Sequence, residues 1–472
     1  MNAPFQIDLE LIKKYDGNLP RYTSYPTALN FNTGFNEDHY RHHAAKSNQV
    51  LLPKPLSIYV HIPFCHSLCY FCGCNKVVTR PDSAKVDAYL DALMIEIRER
   101  ATLFDKDRLV QQIHFGGGTP NFLTTQQLSE VLEEIAQCFH LDFPSRLEVG
   151  IELDPRHISS AGVKELSSIG FNRFSIGVQD FSKTVQLAVN RVQCSRATLN
   201  VIETACNIAN SVNVDLITGL PNQSVESVKQ TTKMIVDSGV SRVAAYGFAY
   251  MPDRIKAQKL ICSSQVPLGP ERIKLSQTVS SVLQGNGYHH IGMDHYTLEQ
   301  DSLYQALQNN SLQRNFQGYT THAQTDLIGL GVSAISSFDT AFSQNTVSVS
   351  DYLKKVRQQS LPIIKGLSIT PDDQLRQKLI QQIMCHGKVD LTVTADTLVD
   401  ELGCIPLNKY FSNELKSLDQ FETDQILNRT ETGFELTDQG RYFMRPVAAL
   451  FDASLNASKS YSENIAQFSR TI

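Results

Sequence analysis

After a polar opening, the chain alternates short apolar runs of β character with longer stretches whose apolar residues recur at helical spacing. Residues 56–62 (LSIYVHI) read as a strand, as do 112–115, 147–153, 173–177, 212–217 and 242–248. Between them, 84–100, 125–138, 159–168, 195–210 and 224–238 carry helical periodicity, and 271–286 adds another helix before a strand-like 289–294. Such alternation predicts βα units on a parallel sheet. Six or more units predict an α/β fold, a full or partial TIM-type barrel, with its site on the loops after the strands.

The flanks differ. Residues 1–50 are polar and rich in turn signals, and PRYTSYPTA (20–28) reads as irregular chain. From about Gly366 the pattern shifts to helices at 372–385 and 394–401. A short hairpin signal follows around Gly433 within 426–436, then a helix from near Thr437. The expected division is an N-terminal extension (1–50), a barrel (51–365) and a smaller, mainly helical, winged-helix-like domain (366–472). Few basic residues cluster in that last part, so a packing or lid role is expected rather than DNA binding.

The 472 residues are 42% hydrophobic, enough for a large core, and 19% charged with a formal net charge of −5. No basic bias points to nucleic acid. No apolar run at the N-terminus serves as a secretory signal or membrane span, so a cytoplasmic protein is expected. Four of the ten cysteines fall between Cys65 and Cys74. In a reducing compartment such a cluster points to metal. The other six, Cys138, Cys194, Cys206, Cys262, Cys385 and Cys404, read as small core hydrophobes.

In HIPFCHSLCYFCGCN, three and then two residues separate Cys65, Cys69 and Cys72, so one loop can wrap three thiolates around one site. Thiolates are the normal ligands of iron–sulfur clusters, and three of them leave one iron of a four-iron cluster open. A closed zinc site usually needs two separated pairs, and no second pair follows. Free thiols, zinc, and Cys74 as a fourth ligand remain as alternatives.

CxxxCxxC after a strand is the signature of the radical S-adenosylmethionine superfamily. The longer CHSLCYFCGCN, with Cys74, resembles the oxygen-independent coproporphyrinogen III oxidase family. The likeness continues through PRYTSYPTA, YVHIPFC, FGGGTPNFL, IELDPR, IGVQDF, VNRVQ, VDLITGLP, IGMDHY, NFQGYTT, GVSAIS and QFSR, almost the whole chain. It implies a 4Fe-4S cluster on Cys65, Cys69 and Cys72, with Cys74 a non-ligand neighbour and the one candidate for a catalytic side chain. It also implies two S-adenosylmethionine molecules. Tyr59, Gly117, Glu152 and Ile335 would serve the cluster-bound one; Phe71, Gly118, Thr119, Gln179, Arg191, Asp215 and Ala249 the second.

The residue types suit these roles. Glycines let backbone amides approach a ligand. Acids at strand ends, Glu152 and Asp215, can take ribose hydroxyls or an ammonium group. Arg191 can pair with a carboxylate in bidentate fashion, and Phe71 offers a stacking face. Ordinary readings stand beside each: a tight turn, a helix cap, a surface ion pair. His66 reads as a loop hydrogen-bonder, and His289, His290 and His295 as packed or rim residues.

The implied activity is conversion of coproporphyrinogen III to protoporphyrinogen IX by a 5′-deoxyadenosyl radical, with an electron donor and an acceptor as partners and the chain a monomer. Arg21 would meet a propionate and Tyr22, with Tyr25, a pyrrole ring, making the N-terminal segment a lid; the bland reading is a plug. A haem-binding chaperone of the same superfamily is the rival, and it usually lacks Cys74 and the PRYTSYPTA segment. Thr218 (often Tyr in the family), Asp253, Arg254 and the stretch FDASL depart from the family pattern.

Overall fold

A computed structural model describes residues 9–322, 324–392 and 406–456. The helix expected at 394–401, Cys404 and the QFSR motif lie outside them. Six strands follow one another as parallel neighbours: β1 (Leu56–Ile62), β2 (Leu109–Gly117), β3 (Glu148–Leu153), β4 (Arg173–Gln179), β5 (Ser211–Thr218) and β6 (Arg242–Gly247). Beyond β6 the sheet continues antiparallel through β8 (His295–Thr297) to β7 (His289–Gly292).

A hairpin of β9 (Gln313–Asn315) and β10 (Gly318–Thr320) stands apart from the sheet. On the other side of β1 lies the parallel β11 (Asp326–Leu330), then antiparallel β12 (Ile335–Phe338), β13 (Ala341–Asn345) and β14 (Ile363–Ser368). The path runs from β7 to β14 without closing on itself among the described residues, so the barrel is partial.

β1 is buried at every position but Tyr59, as a parallel strand covered on both faces should be. The crossover helices are α1 (Ala84–Ala101), α2 (Thr125–Cys138), α3 (Ser160–Ser168), α4 (Ser195–Ile208) and α5 (Val225–Asp237), followed by α6 (Pro270–Gly285). Their starts are written locally. Thr124 and Gln127 form a reciprocal capping box on α2, and Ser224 with Ser227 does the same on α5. Leu128, Val131 and Ile135 then recur on one face of α2 and are buried.

The expected boundary at 365/366 falls inside β14, because Gly366 still pairs with Ser343 and bridges to Asn32. The following region holds α7 (Pro371–His386), a small sheet of β15 (Lys388–Asp390), β16 (Leu427–Arg429) and β17 (Gly433–Leu436), and α8 (Met444–Ala449). Thr437 does not start the α-helix; a 3-10 turn, Gly440–Phe443, precedes α8. Ile12, Tyr22 and Tyr25 of the N-terminal segment join this region's core with Phe411, Phe434 and Phe451. Among the described residues, no helix is long and apolar enough to cross a membrane.

Candidate active site

The carboxyl ends of β2, β3, β4 and β5 and the loop after β1 surround one cavity with about 800 Å3 of empty space. Cys65, Cys69, Cys72 and Cys74 line it together with Phe71, Gly117, Gly118, Thr119, Glu152, Gln179, Arg191 and Asp215. These residues, far apart in sequence, meet because each lies in the carboxyl-terminal half of a strand or in the connection that follows one. All four thiols are free: Cys65 and Cys69 are buried, Cys72 is half-buried and Cys74 exposed.

The thiol loop is held from several sides. Thr119 Oγ1 lies 3.3 Å from Cys65 Sγ. Lys76 Nζ donates to the carbonyls of Cys72 and Cys74, at 2.9 and 3.4 Å. Arg156 and Arg191 each place a guanidinium nitrogen 3.5 Å from Cys69 Sγ. The neighbouring Cys74 thiol holds that of Cys72 below the ordinary thiol range. Among the described residues, no three His, Cys, Asp or Glu side chains converge to hold a single metal ion. Three free thiols around a wider cavity, beside two cations, fit an anionic iron–sulfur cluster by their donor chemistry.

The glycine run is explained by close packing. A Cβ on Gly117, where φ is +116°, would lie 2.7 Å from the His61 ring, and one on Gly118 would lie 2.7 Å from the Pro63 carbonyl oxygen. The expected bare amides are in use, which corrects that reading. Gly117 N–H donates to Glu152 Oε2 at 3.3 Å and Gly118 N–H to Ile62 O at 2.8 Å. Arg191 is likewise engaged. Nη1 donates to Asp154 at 3.1 Å and Nη2 to Gly177 O at 2.6 Å, so only Nε lacks a partner and the expected bidentate fork is taken.

Asp215 receives hydrogen bonds from Asn213, 2.8 Å, and Ser175, 3.2 Å, yet burial pushes its carboxyl up to about 7. Gln179 closes β4 with φ +68°, the left-handed region, where a side chain is strained.

Tyr59, Ile335 and Ala249 stand just behind the lining. The Tyr59 ring and Glu152 Oε1 both lie within 3.0 Å of a Cβ built on Gly116. Gly329 pairs with Tyr59, and the Ile335 backbone presses on that glycine. Ala249 reaches the site through Gln258, whose fully buried amide donates to Ala249 O at 2.9 Å and Phe71 O at 3.1 Å. Sequence reasoning missed Gln258, Asp154, Arg156 and Lys76. The IELDPR motif carried a signal for the acid and the first arginine; nothing local marks Gln258.

Tyr22 needs correction. It is 4% exposed and its hydroxyl donates to Asp452 at 3.1 Å, so its ring serves the C-terminal core and faces no ligand. Arg21 pairs with Asp294 and stands over the Tyr246 ring. Cys194 and Cys262 are exposed rather than core; Cys385 is buried as expected. Asp253 and Arg254 lie exposed in a turn, which removes the charge conflict there. Thr218 is buried, its hydroxyl 3.4 Å from Tyr246 O. His66 lines the cavity and lies 4.0 Å from the His157 ring, while His290 and His295 are packed.

A parallel partial barrel with three loop thiols at its carboxyl end defines a class, and residues 59–235 match the radical SAM superfamily. Full-length comparison narrows it. The chain is 40% identical to the oxygen-independent coproporphyrinogen III oxidase of Salmonella typhimurium over 98% of both chains. It is 39% identical to that of Escherichia coli K12, again over 98% of both, and 37% to that of Synechocystis over 99% and 98%. The solved Escherichia coli coproporphyrinogen III oxidase (HemN), described as a radical SAM enzyme, superposes with a TM-score of 0.88 at 38% identity, covering 96% of this chain and 100% of that one. The chain therefore belongs to the oxygen-independent coproporphyrinogen III oxidase family.

Proposed function

We propose that this protein converts coproporphyrinogen III to protoporphyrinogen IX without oxygen, turning two propionates into vinyl groups. The observation that carries the reading is the meeting of Cys65, Cys69 and Cys72 with Glu152 and Asp215 around one cavity at the strand ends. The full-length match to named oxidases favours this over a haem-binding chaperone.

Cys65, Cys69 and Cys72 would hold a 4Fe-4S cluster. When bound, such a cluster with S-adenosylmethionine would supply the one-electron radical chemistry needed to remove hydrogen and CO2 from a propionate, with an electron acceptor completing the oxidation. The chain's own work is positioning. Arg156 and Arg191 keep positive charge against Cys69, and Lys76 fixes the loop carbonyls. Tyr59, Gly117, Glu152 and Ile335 would line a first S-adenosylmethionine. Phe71, Gly118, Thr119, Gln179, Arg191, Asp215 and Ala249 would line a second, with Gln258 tying Phe71 to Ala249.

The barrel, through β14, then carries the chemistry, the region after it packs beside it, and residues 1–50 cover the substrate, in a cytoplasmic monomer served by an electron donor and an acceptor. Anaerobic incubation with coproporphyrinogen III, S-adenosylmethionine and a strong reductant tests this. Divinyl product, read by fluorescence after oxidation, is expected; cofactor cleavage with intact propionates would overturn it.

A further inference from the structure

Beside the cavity, on its β5–β6 side, the fold gathers arginines from elements remote in sequence. Ala244 is the register partner of Asp215, so Tyr246, two residues on, projects on the same face of the sheet as Asp215. The Arg21 guanidinium lies 5.8 Å from the Tyr246 ring. Arg272, on α6, reaches over the carboxyl ends of the same strands. Its Nη2 is 3.1 Å from a Cβ built on Gly247, and its Cγ 3.4 Å from one built on Gly219. Arg314, on β9, lies 4.8 Å from the Tyr319 ring. Tyr319 meets His295 at 5.2 Å, and His295 meets Tyr246 at 5.9 Å. Arg445, on α8, donates to the carbonyls of Leu19 and Pro20 and so fixes the backbone that presents Arg21.

Asp294 pairs with Arg21. Arg314 is 8% exposed, and its Nε and Nη1 have no hydrogen-bond partner. Burying guanidinium groups together costs free energy that a bound anion would offset. Burial and then Arg314 pull the Arg21 guanidinium down to about 10, and burial and then Arg21 pull that of Arg445 to about 9. Burial and then Arg314 hold His295 well below its ordinary value, so it adds no charge. Arg21 nonetheless keeps 32% of its side-chain surface accessible, as a group on the wall of an open recess does.

We infer that Arg21, Arg272 and Arg314 form a carboxylate-binding wall that grips propionates of the substrate by charge-assisted hydrogen bonds. This rests on the proposed function and names how its site recognises a flat tetracarboxylate. A guanidinium presents a planar fork that matches a carboxylate. Conversion of two carboxylates to vinyl groups removes anionic handles, so product binds this wall more weakly than substrate.

The test uses the full chain with its cluster and coproporphyrin III, the stable oxidised macrocycle with the same four carboxylates. Its binding is followed by fluorescence beside that of its tetramethyl ester in mild detergent. Wild type is expected to bind the acid. R314Q and R272Q should each weaken acid binding about tenfold or more, R314K should recover part of it, and ester binding and iron content should not change. If R314Q loses its iron, R272Q decides. Unchanged acid binding in iron-loaded variants would overturn the wall and leave the proposed function standing. A wild type that neither binds the acid nor decarboxylates would overturn that function, and the wall with it.

Discussion

Asp154 and Arg191 form an ion pair at 3.1 Å directly against the Cys69 thiol, and Arg156 bonds the same Asp154 oxygen at 2.7 Å. Burial alone would raise the Asp154 carboxyl, but the two guanidinium groups hold it down to about 2. Asp154→Asn leaves the Arg191 and Arg156 guanidinium groups beside Cys69 without the carboxylate they share. It should cost about 3 kcal/mol, read by anaerobic denaturant unfolding. A folded value below the ordinary 3.8 contributes stability that is present above pH 4 and lost as pH falls towards 2. D154N should flatten that acid limb; an unchanged limb would show that the pair has no such role.

Asp215 has the opposite sign. Its carboxyl is raised from 3.8 to about 7 by burial, so the folded protein loses stability as pH rises from about 4 to about 7. In the proposed second site, an Asp215 that ionises as pH rises through about 7 would attract the ammonium and sulfonium charges of S-adenosylmethionine. Equilibrium dialysis should show two molecules bound at saturation, with the weaker site tightening as pH rises through 7. Asp215→Asn should leave one site and no such pH dependence. One molecule bound to wild type at saturation would contradict the second site.

The proposed cluster would separate the thiols by role. Cys65→Ser, Cys69→Ser and Cys72→Ser should each abolish iron binding and S-adenosylmethionine cleavage. Cys74→Ser removes an exposed sulfur and should keep most of the iron. Loss of iron from C74S equal to that of the others would make Cys74 a ligand.

The barrel order could be read in the chain because each βα unit signals itself locally. A short apolar run, a capping residue such as Thr124 or Ser224, and a periodic helix follow within a few dozen residues. The strands between Gln313 and Asn345 were not legible. They are three to five residues long, and polar Gln313, Ser343 and Gln344 break the alternation. The thiol spacing and most lining residues were legible as motifs. What Arg191 and Tyr22 actually touch was not, since Asp154 and Gly177 lie far from Arg191 in sequence and Asp452 lies 430 positions from Tyr22.

Ile12, Tyr22 and Tyr25 dock the N-terminal segment on the C-terminal core, and in the proposed function the segment also covers the substrate. Removing residues 1–30 strips Ile12, Tyr22 and Tyr25 from the C-terminal core but leaves the barrel's own core, which holds none of these. The truncated chain should keep its iron and cleave S-adenosylmethionine without decarboxylation. Decarboxylation at the normal rate would refute the covering role.

Hydrogen transfer from the propionate is the central claim. Coproporphyrinogen III deuterated at the propionate β-carbons, incubated anaerobically with the reduced enzyme and S-adenosylmethionine, tests it most directly by mass spectrometry of the 5′-deoxyadenosine formed. One deuterium is expected in that product, with one vinyl group formed per S-adenosylmethionine consumed. Unlabelled 5′-deoxyadenosine beside unchanged substrate would contradict it.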